Sequence, residues 1–262
     1  MWIIFLTILS AVFNIANAQT KSKGIVHYGH MQSMGMGGPI GVDYNSILIF
    51  DDIQSTYIFA KDSLEGGSIR TSVTITNKDN RKIVVPKNTS KIGFVYNLNI
   101  NNGILKSRDL GFKYTKEERP KINWLISNEH KKIGQFNCQK AEAKFRGREY
   151  SAWFTTEIPL PYGPWKLNGL PGLILEAYDT DKEVYFYFKS VKYPNEEIGS
   201  IIALKPEIEN KEWITFPEYK LFLINSYNRA IQNTRMVIEQ ANIYTLEDKR
   251  NMKDSYIEVF QD

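Results

Sequence analysis

From residue 24 to about residue 194 the chain is a succession of short segments in which apolar and polar residues alternate, separated by clusters of Asp, Asn, Gly and Ser. A period of two buries one face of a β-strand and wets the other, so each segment predicts a half-buried strand. Residues 25–28, 46–50 and 55–60 are the first three, the last two flanking the short connection 51–54. Residues 68–76 alternate through Ile69, Thr71, Val73 and Ile75. Residues 94–100, the turn Asn101-Asn102-Gly103 and residues 104–106 give the clearest hairpin signal, because Asn and Gly tolerate positive φ. Residues 122–127, 134–145, 150–158, 173–178 and 183–193 complete the set. In the last of these Val184, Phe186 and Phe188 run in phase, and the alternation slips near Ser190. No stretch long enough for a crossover helix separates the strands, which predicts an antiparallel meander.

The two ends read differently. After Pro217 the period lengthens, and Tyr227, Ile231, Met236 and Ile238 are compatible with one face of a helix. Residues 244–262 are charged, with Ile257-Glu258-Val259-Phe260 as a candidate docking anchor. At the start, an apolar run from Trp2 to Val12 is followed by Ala16-Asn17-Ala18, the small-x-small pattern that signal peptidase cuts. The run is shorter than the about 20 residues a spanning helix needs. Residues 1–18 are therefore expected to be a signal peptide and residues 19–262 a single β-rich domain, exported to the periplasm or released, with no transmembrane anchor in the mature chain. Cys138 is the single cysteine, so an internal disulfide is excluded and no lipid-attachment cysteine follows the leader.

Composition adds little to this picture and removes one function class. Aromatic residues make up 13%, led by 15 Tyr and 14 Phe, which favour pleated, half-buried surfaces. The 33 basic and 29 acidic residues are mixed along the chain, and a net charge of +4 is no argument for nucleic acid.

Candidate chemistry is sparse. Any Ser-His-Asp or Cys-His site must draw on His27, His30 and His130. His130 and Cys138 lie on neighbouring predicted strands, but Cys138 alternates in phase with Phe136, where a thiol acts as a small apolar filler. No pair of carboxylates stands out for acid–base work. The segment from His27 to Gly38 carries His27, His30, Met31, Met34 and Met36, imidazoles and thioethers of the kind that suit copper, and a glycine-rich loop over apolar surface is the competing reading. Among the aromatics Trp124, Tyr150, Trp153, Phe154, Trp165 and residues 185–188, alternation sends Phe186 and Phe188 to one face and Tyr185 and Tyr187 to the other. One set fills the core; the other is a candidate wall for a concave face holding an apolar ligand.

The most distinctive stretch is Gly169-Leu170-Pro171-Gly172-Leu173-Ile174, preceded by Gly163-Pro164-Trp165. Pro171 and Gly172 predict a type II turn, with positive φ at Gly172, leading into the apolar strand 173–178. The string resembles the motif that names the GLPGLI family, secreted Bacteroidota proteins without an established activity. Cys138-Gln139-Lys140-Ala141, Phe145-Arg146-Gly147-Arg148, Ala152-Trp153-Phe154-Thr155 and Glu157-Ile158-Pro159 resemble that family's central block in its usual order. The resemblance implies a cell-envelope context and an outer-membrane uptake receptor or other envelope protein as partner. It implies no cofactor and no catalytic residue. The expected fold is mainly β, a single curved antiparallel sheet or open half-barrel with a C-terminal helix, analogous to periplasmic lipoprotein carriers at the level of fold alone. The expected function is non-enzymatic binding or carriage of a ligand in the concavity of the sheet, with a copper-binding protein or an unrecognised hydrolase as alternatives.

Overall fold

The structure, a computed structural model, describes residues 23–76, 80, 82–199, 201, 204–240 and 251–260. The leader expected at residues 1–18 lies outside them. The chain opens with a meander of β1 (Gly24–Gln32), β2 (Val42–Phe50) and β3 (Gln54–Phe59). Next, β4 (Arg70–Thr76) and β5 (Lys82–Asn88) stand apart as a two-stranded ribbon. The meander resumes with β6 (Phe94–Asn99), β7 (Ile104–Asp109) and β8 (Lys113–Glu118). A second meander runs through β9 (Leu125–Ile133), β10 (Phe136–Phe145), β11 (Arg148–Thr155), β12 (Leu173–Asp179) and β13 (Val184–Lys192). A short strand, β14 (Trp213–Thr215), leads directly into the helix α1 (Phe216–Gln240).

The result is a mainly β protein. One 12-stranded sheet has the order β14-β8-β7-β6-β3-β2-β1-β13-β12-β11-β10-β9, and pairing of β1 with β13 joins the two meanders. Every pair is antiparallel except β14 with β8, which the sequence did not announce. Alternation sets the faces as expected: Val26, Tyr28 and His30 on β1 are buried, as are Tyr44, Ser46, Leu48 and Phe50 on β2. The slip near Ser190 is a β-bulge. His27 faces Ser190 while Tyr28 faces Phe188, leaving Lys189 as the extra residue.

The sheet is strongly curved. Eight strands lie between β8 and β10 in its order, yet Glu117 on β8 pairs with Arg146 in the β10–β11 turn. Residues 119–124 alone connect β8 to β9 near the opposite edge, a reach of about 25 Å at full extension. That is why the strand expected at residues 122–127 begins only at Leu125. Trp124 instead donates its indole N–H to the Asn168 carbonyl at 2.9 Å as the chain crosses the seam.

The helix closes one end. Glu218 accepts from the Thr215 backbone N–H at 2.7 Å and from its hydroxyl at 2.8 Å, fixing the first turn. Tyr219, Leu223 and Tyr227, spaced four apart, form its buried face and pack with Met252. Beyond Tyr227 the cover thins: Ile231 is half-buried against the same cluster, and Met236 is exposed. The anchor does dock, with Ile257 and Glu258 buried and the Val259 N–H donating to the Arg146 carbonyl.

Candidate functional site

The segment between β11 and β12 carries the Gly169–Ile174 string and folds back on itself. Leu173 and Ile174 donate their N–H groups to the carbonyls of Ile158 and Tyr162, and Gly169 donates to Pro161. Positive φ falls on Trp165 (55°) and Gly169 (96°), not on Gly172 as the type II turn required. Gly172 is needed for a different reason. A Cβ there would lie 2.1 Å from the Thr155 carbonyl oxygen, so only glycine lets the turn sit against β11.

This segment fills the inner face of the sheet. Ile158, Tyr162, Trp165, Leu167 and Leu170 are all buried in the main core. Trp165 meets the rings of Phe145 and Tyr150 at 5.6 and 6.2 Å between centroids, and Tyr162 meets Phe50 at 6.1 Å. Ala141, Ala152 and Ala177 stand in register on β10, β11 and β12, a row of short side chains that leaves depth over those strands. The concavity expected to hold a ligand is occupied by the protein's own chain.

Lys166 is a charged residue whose side chain is fully buried. Its Nζ lies 2.7 Å from Glu258, 3.0 Å from Glu117 and 3.5 Å from Asp109. Arg146 adds a second cation beside Glu117, and Tyr96 donates its hydroxyl to Asp109. Burial pushes the Lys166 ammonium down, but Glu258, Glu117 and Asp109 together outweigh it and hold the group above its ordinary value. Glu258 moves up because burial outweighs the pull of Lys166 and Arg146. A second buried guanidinium, Arg148, binds Asp179 at 2.6 Å and donates to the carbonyls of Ile257 and Tyr256. The motif segment, β7, β8, the β10–β11 turn and the C-terminal anchor are thus locked together by charge. Arg146 and Arg148 lie in the recognisable block 145–148, but nothing local marks Lys166, Glu117 or Glu258 as partners.

The structure does not bring the five His and Met candidates together. His30 faces the inner side of β1; His27 and Met31 face the outer side. Met34 packs against the core and Met36 is buried. Both His30 ring nitrogens are engaged. Gln32 Nε2 lies 3.0 Å from Nε2 and donates to it, and the Tyr57 hydroxyl oxygen lies 3.0 Å from Nδ1. Because Tyr57 gives its proton to Ser46 Oγ, Nδ1 carries the hydrogen that Tyr57 accepts. Burial lowers the pKa of His30 to about 3, so the ring is neutral and structural. Among the described residues no group of three or more His, Cys, Asp or Glu is placed to hold a metal. Cys138 is buried, with its thiol pushed up to about 11 by burial, and His130 pairs with Gln139 rather than facing it. The thiol is an apolar filler.

The open apolar space lies on the other side of the sheet. Ile47, Ile58, Val95, Arg108 and Tyr114 follow one another in register across the outer face of β2, β3, β6, β7 and β8. A cavity of about 430 Å³ sits here between Ile49, Ile58, Val95 and Tyr114 on the sheet and Ile198, Ile201, Leu204 and Ile208 on the segment crossing over it. Arg108 pairs with Glu209 and pins that cover. Lys61, Lys91 and Lys205 border the cavity. Tyr185 and Tyr187 also face outward, but elsewhere: Tyr187 lies flat against Gly29, where a Cβ would come within 2.0 Å of the ring, and donates to Asp43.

No curated protein matches the sequence. Two crystal structures of PNGF-II, in space groups P21 and C2, are similar over 76% of this chain and 32% of theirs, with 16% and 15% identity and TM-scores of 0.48 and 0.47. This chain spans about a third of the length of those proteins. Residues 144–176, from the end of β10 through the motif segment into β12, match the family model described as a protein of unknown function, Porph_ging. Those residues include Arg146, Arg148, Lys166 and the Gly169–Ile174 string, so the resemblance to the GLPGLI family holds over this block.

Proposed function

We propose that this is an exported, non-enzymatic binding protein of the cell envelope, working beside an envelope partner, and that its ligand is an anionic amphiphile held on the outer face. One observation carries the reading. The outer cavity has aliphatic walls and a border of three lysines, which is the complement of an acyl chain ending in a carboxylate. Its volume is within the range of small-molecule sites, about 300–1,000 Å³. The chain enters among Ile58, Val95 and Ile201, and the head group stays at the wet margin with Lys61, Lys91 and Lys205. The hydrolase alternative gains nothing from the buried carboxylates. Asp109, Glu117 and Glu258 are 2%, 7% and 1% exposed and are engaged with Lys166 and Arg146.

Titration of residues 19–262 with a fluorescent polyene fatty acid tests this. Saturable binding with a Kd of about 1–10 µM is expected. Reversal of Lys61 and Lys91 to Glu weakens it by about tenfold, and Ile58→Asp abolishes it. Absence of saturation by about 100 µM, or equal affinity for the uncharged methyl ester, would remove the proposal.

A further inference from the structure

A second opening lies where the two ends of the sheet approach each other. Four segments border it: the end of β8 with the linker that follows, the β10–β11 turn, the start of α1 and the C-terminal anchor. The cleft is open and encloses about 870 Å³. Lys116, Arg119 and Lys121 line it from the first segment, Lys144 from the second and Lys220 from the third.

The acids at this place are not free to balance those cations. Glu117 is turned inward and shared between Arg146 and Lys166, so Glu118 is the single carboxylate left in the lining against five cations. Arg119 donates Nε to the Asn168 side-chain oxygen at 2.7 Å, which fixes the guanidinium beside the motif segment. The cleft has apolar patches as well: Pro120, Phe216 and Phe260 share its lining. It is also preformed. The Arg146 guanidinium stacks on Phe216 at 3.7 Å, Phe216 meets Phe260 at 5.7 Å, and Val259 donates to the Arg146 carbonyl. A Cβ on Gly147 would fall 2.4 Å from the Val259 carbonyl oxygen, so the turn and the anchor are in close contact.

We infer that this cleft binds an extended acidic peptide, one that alternates carboxylates with apolar or aromatic side chains. Carboxylates satisfy the lysines at its border. Apolar side chains satisfy Phe216, Phe260 and Pro120, which a sulfated or phosphorylated glycan leaves uncovered. A walled site of fixed shape lowers the ordering cost of holding a short segment. The inference is independent of the outer cavity, whose lining shares no residue with the cleft.

Fluorescence anisotropy with a labelled peptide alternating Glu and Phe provides the test, using residues 19–262. Micromolar binding that weakens as salt rises is expected, as is loss of about tenfold or more in Lys121→Glu/Lys144→Glu. Both positions are exposed, and an unchanged unfolding midpoint confirms that the double variant is folded. A Gln/Phe peptide that binds equally well overturns the inference, as does a double variant within twofold of the parent. A heparin fragment that displaces the peptide with equal affinity overturns it too, because the surface is then selective for charge alone.

Discussion

The inner and outer faces of the sheet come from the same alternating strands, but they are finished in different ways. Over the inner face the chain folds residues 158–174 back onto its own strands, and the space is filled with Tyr162, Trp165 and a buried ionic cluster about Lys166. Over the outer face Ile198, Ile201, Leu204 and Ile208 face Ile58, Val95 and Tyr114 across a cavity. The difference follows from what each covering segment brings. The inner one supplies large aromatic side chains and a glycine that permits backbone contact at 2.1 Å. The outer one supplies aliphatic residues, tied among the described residues by the Arg108–Glu209 ion pair and by Lys23 donating to the Ile198 carbonyl. Apolar surface that is merely covered can exchange its cover for a ligand; surface that is interlocked by charge and backbone contact cannot.

Breaking the lock gives the largest effect. Lys166→Met removes the cation shared by three buried carboxylates and is expected to cost about 3–5 kcal/mol in urea unfolding, as loss of one partner of a buried pair does. A loss below about 1 kcal/mol would show that those carboxylates are solvated and that the inner face is not sealed.

Next in size is Gly172→Ala. The clash is with backbone, which yields little, so the change is expected to cost about 3 kcal/mol, the upper part of the overpacking range. Gly169→Ala meets nothing closer than 3.8 Å and is strained only by its φ, for about 1 kcal/mol. Equal costs at the two positions would mean that the turn conformation, and not contact with β11, is what the motif protects.

The third effect depends on pH. His30 is neutral when folded, with its pKa lowered to about 3, while in the unfolded chain it protonates near its ordinary 6.5. Between those values the unfolded state binds the extra proton, so stability falls as pH drops through the window. From pH 7 to pH 5 the wild-type protein is expected to lose about 2 kcal/mol more than His30→Gln. Parallel acid limbs for the two proteins would place the imidazole in contact with water.

Much of the fold was legible because strand alternation is a local property. Alternation put Phe186 and Tyr187 on opposite faces, as found, and the slip near Ser190 proved to be the bulge at Lys189. The β4–β5 ribbon, the parallel β14 and the late start of β9 were not visible, since each depends on what lies across the sheet. The His27 to Met36 cluster misled for a related reason. Closeness in sequence suggested a shared site, whereas an odd number of steps along a strand puts His27 and His30 on opposite faces.

By itself the sequence determined the mainly β class, the phase of the alternating strands and the family resemblance of residues 144–176. Those features rest on side-chain period and backbone preference over a few neighbouring residues. Tertiary structure alone decided that Lys166 meets Glu117 and Glu258, that Gly172 answers to Thr155, and that open apolar space lies outside the sheet while its hollow is filled. Those facts depend on curvature that carries strands from opposite ends of the sheet into contact, and no short window of residues records which distant groups will meet.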